Sequence, residues 1–337
     1  MKRVIVDHYG GPEVLKVAEV EVPRPGPGEV RVKVLAAGVS FTDSQLRAGT
    51  YLGGPKPPFT PGYELVGIVE ALGPGCRRLR EGDRVGALTV WGADAERVCV
   101  PEKYAVEVPA DLDPGEVVSL VFPYMTAYQL LHRAAKAKRG ETVLVHGAAG
   151  RVGTALLELG ALAGLRMYGT ASARDRPTVE RLGAVAIDYR HEDFLARVRD
   201  MTGDGVDIVL DAIGGAVSLR SFRALRSGGR LVVYGRHATI AHGTKNWPAV
   251  IEWYAGTAAV ALWGLLTPGR HVISYRIQKL RIHHQDWFSE DFRVLLDLLR
   301  GHKIHPVVAE RMPFTEARRA HELLESTAAT GKLVLVP

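Results

Sequence analysis

The sequence predicts an α/β chain of two domains, a doubly wound parallel sheet joined to an all-β, barrel-like unit. Three observations carry this expectation. Val143-Leu144-Val145-His146 reads as an apolar strand entering a turn with glycines at Gly147, Gly150 and Gly153, and a helix follows from Thr154-Ala155-Leu156-Leu157. Strand-like runs then recur at 166–170, 184–187, 206–210, 230–234 and 272–277, with helical stretches at 192–201 and 218–225 between them. The first 124 residues instead alternate polar and apolar, as in Glu29-Val30-Arg31-Val32-Lys33-Val34. Dense turn signals such as Gly73-Pro74-Gly75 punctuate that part.

The predicted boundaries are 1–124 and 285–337 for the β unit and 125–284 for the parallel sheet. In 285–337, Ser289 is placed to cap a helix carrying Phe292, Leu295, Leu296 and Leu299 on one face, and Thr315 to cap a second. Lys332-Leu333-Val334-Leu335-Val336 reads as a last strand returning to the β unit. The connection 236–271 is long and holds Trp247, Trp253 and Trp263. Its apolar part, 253–266, reads as too short to span a bilayer; a buried helix or pair of helices is expected, with a substrate-pocket wall, an oligomer contact or a membrane-touching patch as the functional alternatives.

The chain has 337 residues, 47% hydrophobic and 24% charged, which suits a soluble two-domain protein. No signal peptide is read at Met1-Lys2-Arg3-Val4, and Cys76 and Cys99 make no disulfide framework, so a cytoplasmic protein is expected. The net charge of +6 comes from well-mixed acids and bases, without the basic runs and interleaved aromatics of a nucleic-acid binder.

Strand, glycine turn and helix start aim backbone N–H groups and a helix dipole at one point, which suits a dinucleotide pyrophosphate. Gly147, Gly150, Arg151, Val152 and Gly153 are the candidates there. The second strand ends in Ser172-Ala173-Arg174-Asp175-Arg176. An NAD site usually has an acid at that place; a hydroxyl and two guanidiniums suit a 2′-phosphate instead. NADPH is therefore the expected cofactor; Asp175 would repel its phosphate, but that side chain can point away.

These pieces resemble the medium-chain dehydrogenase/reductase superfamily, in particular its zinc-free quinone oxidoreductase branch. The resemblance rests on Ala37-Gly38-Val39-Ser40-Phe41-Thr42-Asp43, Pro61-Gly62-Tyr63-Glu64, Glu81-Gly82-Asp83-Arg84-Val85, Thr126-Ala127-Tyr128, the glycine turn and Thr330-Gly331-Lys332. It implies a GroES-like β domain, a Rossmann domain and a cofactor in the cleft between them. It also implies a homodimer joined at the sixth strand; the Trp-rich connection resembles a subgroup that includes a synaptic-vesicle membrane protein, which leaves membrane contact as the less favoured alternative. By the same resemblance Tyr189 joins Ser172 and Arg174 or Arg176 at the NADPH phosphate. Tyr234 and Gly235 approach the nicotinamide, Thr126 its carboxamide, and Lys332 belongs to the cofactor set.

Zinc alcohol dehydrogenases share the implied fold, but this chain has Ser40 and Tyr63 where they have a cysteine and a histidine. Its loose histidines, His283, His284, His302 and His305, read as surface residues. No metal is expected. Hydride transfer without one suits a quinone or an α,β-unsaturated carbonyl, which delocalise the incoming charge. Candidate donors to the resulting oxyanion are Tyr51, Ser40, Gln45 and Tyr63, with Thr42 and Tyr124 behind them. The alternatives are an enoyl-thioester reductase and a cofactor-binding, membrane-associated protein with little turnover.

Overall fold

The computed structural model describes residues 1–51, 53–235, 240–241, 244–245, 247–326 and 330–337. In chain order the first part contains β1 (Lys2–Val6), β2 (Leu15–Glu19), β3 (Glu29–Val39), α1 (Phe41–Arg47), β4 (Glu64–Leu72), β5 (Arg84–Leu88), β6 (Arg97–Pro101), β7 (Ala105–Glu107) and α2 (Pro114–Ser119). The middle contains α3 (Met125–Gln129), β8 (Thr142–His146), α4 (Arg151–Leu162), β9 (Arg166–Ala171), α5 (Arg176–Arg181), β10 (Val185–Asp188), α6 (Phe194–Thr202), β11 (Val206–Asp211), α7 (Ala216–Arg223) and β12 (Leu225–Val233). Then follow β13 (Ile240–Ala241), β14 (Thr244–Lys245), α8 (Trp247–Leu266), β15 (His271–Ser274), α9 (Ile277–His283), α10 (Gln285–Arg300), β16 (Val308–Pro313), α11 (Ala317–Glu325) and β17 (Lys332–Val336).

Two compact units result. One comprises Met1–Met125, Ile240–Lys245 and Gln278–Pro337; the other comprises Thr126–Thr239 and Asn246–Ile277. The first unit is built on a seven-stranded sheet in the order β16-β17-β3-β4-β5-β7, with β6 also on β3. The alternation read in β3 holds: Val30, Val32 and Val34 are fully buried while Lys33 is exposed. The C-terminal strand β17 pairs antiparallel with β3, Leu333 opposite Val39, so the end of the chain completes the N-terminal sheet.

The second unit is a six-stranded sheet in the order β10-β9-β8-β11-β12-β15, every pair parallel. Its central strand β8 is buried at every residue, as a strand covered on both faces must be. The strand order reverses at β8 and β11, and ligands of doubly wound sheets bind at the carboxyl ends of strands at such a point.

Several expectations need correction. Ser289 is no cap: α10 starts a turn earlier, at Gln285, and the Ser289 hydroxyl donates to the Asp286 carbonyl inside it. Thr315 lies in a 3-10 turn, Phe314–Glu316, with Glu316 at the start of α11. The Trp-rich connection becomes α8, which begins six residues before Trp253. Its Pro248–Leu266 stretch is 19 residues, long and apolar enough to cross a membrane by length and composition. Reading the helix from Trp253 undercounted it, because Glu252 interrupts the apolar run. The helix is mostly exposed, not the buried helix expected: Trp253, Gly256 and Val260 face the unit's core while Ile251, Leu262, Leu265 and Leu266 are exposed. Residues 236–239, 242, 243 and 246 of the connection, and the Trp247 side chain, lie outside the described residues.

Candidate functional site

In the second unit the turn after β8 is formed as the glycines require. Gly147 has φ +70°, which side-chain-bearing residues rarely adopt, and a Cβ on Gly153 would strike the carbonyls of Gly147 and Ala148. The helix start therefore lies close against the strand end, with α4 beginning at Arg151 and Gly150 at its N-cap. His146 anchors the turn from below. Its Nδ1 meets Thr170 Oγ1 at 3.1 Å and its Nε2 meets Ser221 Oγ at 2.9 Å. Burial holds this imidazole below its ordinary pKa, so it stays neutral. Thr170 also accepts the Ala148 N–H at its carbonyl, 3.0 Å away. Sequence reasoning had used His146 only as the end of a strand.

At the end of β11, Asp211 accepts from Ile213 N, Gly214 N and Ser218 Oγ, which fixes the next turn. Tyr234 N donates to the Asp211 carbonyl, and the Gly235 carbonyl accepts from Trp253 Nε1 at 3.2 Å. Burial and the neighbouring Asp211 push the Tyr234 hydroxyl above its ordinary value. Thr126 is buried, and among the described residues its Oγ1 has no hydrogen-bond partner. An orphaned hydroxyl costs stability unless a ligand satisfies it.

The loop after β9 holds a correction. Asp175 does not point away: it accepts from Ser172 Oγ at 2.7 Å and from Arg174 Nε at 2.9 Å. The Arg174 contact, helped by Ser172, outweighs burial and holds its carboxyl below the usual range. The Arg174 side chain remains 63% exposed, and Arg176 pairs with Glu180 one helical turn along. Tyr189 is exposed, and the Arg190 guanidinium lies 5.8 Å from its ring centre. Arg190 thus joins this basic edge, although the sequence reading did not single it out.

In the first unit the structure separates the four candidate donors. Ser40 has a different job: it starts α1, with both its N–H and its hydroxyl donating to Asp43, and it is 3% exposed. Asp43 also accepts from Gly62 N, tying α1 to the Pro61–Tyr63 segment. Gln45 is buried, and its carbonyl accepts the N–H groups of Thr50 and Tyr51, so it shapes the loop that carries Tyr51. Tyr51 and Tyr63 do come together, with hydroxyls 3.0 Å apart and rings edge to face. Burial and the Tyr51 hydroxyl push Tyr63 well above the ordinary tyrosine pKa, so it keeps its proton. Phe122 covers its other side, ring centres 4.6 Å apart.

Behind this pair lies a buried charge cluster. Lys332 is fully enclosed against Glu64, an ion pair between the end of the chain and the start of β4. The lysine expected among the cofactor contacts is thus committed to a carboxylate within its own unit. Burial, then Asp43 and Glu64, push the Asp94 carboxyl well above the usual carboxylate range. Tyr124, the further candidate, is buried.

Two residues of α9 were missed by the sequence reading. Gln278 lies near enough to the Tyr63 hydroxyl to oppose its rise in pKa, and Arg281 stacks on Tyr104, Cζ 4.2 Å from the ring centre. The signal was present as an i, i+3 polar pair that one helix face presents together. It was obscured because 277–284 was assigned to the other domain. A cavity of about 380 Å³ lined by Asp111, Asp113, Arg300, His302 and His305 holds none of these residues.

Family comparison places the halves. A model described as "Alcohol dehydrogenase GroES-like domain" matches residues 26–110, and one described as "Zinc-binding dehydrogenase" matches residues 182–335. A 2-haloacrylate reductase from a Burkholderia species is 32% identical over 348 residues, covering 99% of this chain and 98% of the relative. The quinone oxidoreductase of Rattus norvegicus is 29% identical over 342 residues, covering 100% and 98%. The Escherichia coli quinone oxidoreductase structure, solved in complex with NADPH, aligns at TM-score 0.86 and 29% identity over 100% of both chains.

The zinc in one of those descriptions does not fit this donor set. The Ser40 hydroxyl is held by Asp43, Tyr63 keeps its proton, and the cation beside Glu64 is the Lys332 ammonium. Among the described residues no three His, Cys, Asp or Glu side chains converge to hold a metal. A dinucleotide does fit the second unit, where Gly153 clears the approach to the helix start and the Thr126 hydroxyl awaits a partner.

Proposed function

This chain belongs to the quinone oxidoreductase branch of the medium-chain dehydrogenase/reductase superfamily, and we propose that it is a zinc-independent, NADPH-dependent reductase of α,β-unsaturated carbonyls and quinones. The observation that carries the acceptor class is the Tyr51–Tyr63 hydroxyl pair, 3.0 Å apart, in a unit whose donor set does not suit zinc. Both full-length relatives above are named for reduction of conjugated acceptors.

The residues placed to hold the cofactor are Thr126, the Gly147–Gly153 turn, the Ser172–Arg176 loop, Tyr189, Tyr234 and Gly235. Bound NADPH supplies a hydride to an electron-poor carbon of the acceptor. The chain's part is to take up the charge that then develops on oxygen. Tyr63, kept protonated by burial, donates to the Tyr51 oxygen and leaves the Tyr51 proton directed at that oxyanion. Proton transfer from Tyr51 to that oxygen gives a hydroquinone from a quinone, or an enol that takes its α-carbon proton from solvent on tautomerising to the saturated carbonyl; Tyr63 stabilises the tyrosinate until solvent reprotonates it.

Metal-stripped protein tests this reading. Chelator-treated, metal-analysed enzyme should oxidise NADPH with small enones or quinones at the untreated rate. Recovery of activity only on adding zinc, or no turnover with either panel, rejects it.

The protein is also proposed to act as a homodimer. β15 closes the sheet and pairs only with β12 among the described residues; α8 packs against it at Gly264 and Val272, and Leu262, Leu265 and Leu266 of the same helix end are exposed. An open strand edge beside apolar side chains favours pairing with a second copy. Analytical ultracentrifugation should give twice the chain mass, and a monomer at micromolar concentration excludes it.

A further inference from the structure

We propose that Trp253 is a positioning residue for the nicotinamide half of the bound dinucleotide: its indole, wedged between the turns after β11 and β12, sets the surface on which that half rests. The proposal rests on the cofactor placement above and adds to it a role for the Trp-rich helix α8.

The sheet order decides which turns face which half of the cofactor. From one edge inward the strands run β10-β9-β8-β11-β12. The loop after β9 carries the groups placed for the 2′-phosphate, and the turn after β8 carries those placed for the pyrophosphate. A dinucleotide lying along the carboxyl ends of these strands then lays its other half over the ends of β11 and β12.

Those two ends are where α8 packs. The chain leaves β11 through Gly214 and Gly215, both at positive φ, +82° and +62°. A Cβ on Gly214 would lie 1.9 Å from Trp253 Nε1, so the indole fills the space that a side chain there would need. Trp253 Nε1 also donates to the Gly235 carbonyl at 3.2 Å, just past the end of β12. Three residues further along α8, a Cβ on Gly256 would meet the Gly215 carbonyl carbon at 2.6 Å, so the helix lies directly on that turn. Trp253 itself is buried.

A buried indole N–H needs an acceptor. Here the acceptor is a backbone carbonyl at the carboxyl edge of the sheet, and the ring fits there because residue 214 is glycine. Phenylalanine would fill most of the same space and leave the Gly235 carbonyl without this donor. The end of β12 would then be held less firmly against the β11 turn. The turns after β8 and β9 are shaped by hydrogen bonds to Thr170 and Asp175 instead. Loss of the indole N–H is therefore felt by the nicotinamide half and not by the adenosine half.

Calorimetric titration of the intact protein compares NADP⁺ with 2′,5′-ADP, which keeps the adenosine half and its 2′-phosphate but has no nicotinamide. Trp253→Phe should weaken NADP⁺ binding about two- to tenfold, the range for one net hydrogen bond, and leave 2′,5′-ADP binding unchanged. Weakening of both by the same factor, or of neither, overturns the proposal, since a helix that merely stabilised the unit gives one of those two results. The unmodified protein supplies a second measurement should the variant not fold. Of the five indole N–H resonances of ¹⁵N-labelled protein, at least one should shift with NADP⁺ and stay in place with 2′,5′-ADP. If none does, the proposal is overturned without any variant. If neither ligand binds, the cofactor placement fails and this inference with it. If both bind and the variant treats them alike, the placement stands and only the role of Trp253 is lost.

Discussion

Asp175 offers a sharp test of how the cofactor is chosen. Its carboxylate occupies Ser172 and Arg174, the two groups placed for a 2′-phosphate, at 2.7 and 2.9 Å. A phosphate taking the same donors would lie about 5 Å from that carboxylate with nearly two negative charges, a repulsion of about 1.5 kcal/mol at water-like dielectric. The Asp175 side chain is 29% exposed, so salt trims this to about 1 kcal/mol at physiological ionic strength. Asp175→Asn removes the charge and keeps the shape, and it frees Ser172 and Arg174 of a competing anion. NADPH should therefore bind about 5- to 10-fold more tightly to the variant. NADH, which lacks the phosphate, should change less than about twofold, and the NADPH gain should shrink in high salt. Fluorescence titration of both cofactors at two salt concentrations measures all of this. Unchanged or weaker NADPH binding would refute the reasoning. An equal gain for NADH would do so too, because the loop would then be sensing something other than phosphate charge.

Further outcomes are expected. Tyr51→Phe should lower kcat for an enone by about 10- to 100-fold with NADPH affinity unchanged, since it removes a donor used only as charge develops; pre-steady-state kinetics and titration separate the two. His321 is buried beside Arg47, and that burial, reinforced by the guanidinium, holds its pKa at about 3. The unfolded chain binds that proton near pH 6.5, so stability is intact above that pH and falls by about 1.4 kcal/mol per unit as acid is added toward pH 3. Urea denaturation from pH 7 to 4.5 should show this slope, and His321→Gln should remove its share. Lys332→Met leaves Glu64 buried without its cation and should cost about 3–5 kcal/mol, most of it regained when Glu64→Leu is added; a small loss in the single variant would contradict the enclosed ion pair.

The fold was legible because its signals are local and repeated. Alternation in β3, the glycine turn after β8 and the strand–helix periodicity each followed from backbone geometry. The start of α8 was misplaced because one glutamate, Glu252, broke the apolar run, although a helix with a solvent face tolerates a charge there. Within the site, residue types pointed to Tyr51 and Tyr63, but their pairing depends on tertiary packing that no spacing encodes. Ser40 misled because a serine before a helix is as well suited to capping as to donating, and Asp43 three residues on completes the cap. Asp175 misled because a side chain's direction is settled by its neighbours' hydrogen bonds. Gln278 and Arg281 escaped notice because they lie more than 200 positions from Tyr51, and only the fold makes them neighbours.

The fate of a labelled hydride tests the central claim most directly. With NADPH deuterated at nicotinamide carbon 4 and an enone in chelator-treated buffer, deuterium should appear at the β-carbon of a saturated ketone, with a solvent proton at the α-carbon. Deuterium on the carbonyl carbon of an allylic alcohol, or label transfer that requires added zinc, would contradict a metal-free conjugate reduction completed by Tyr51.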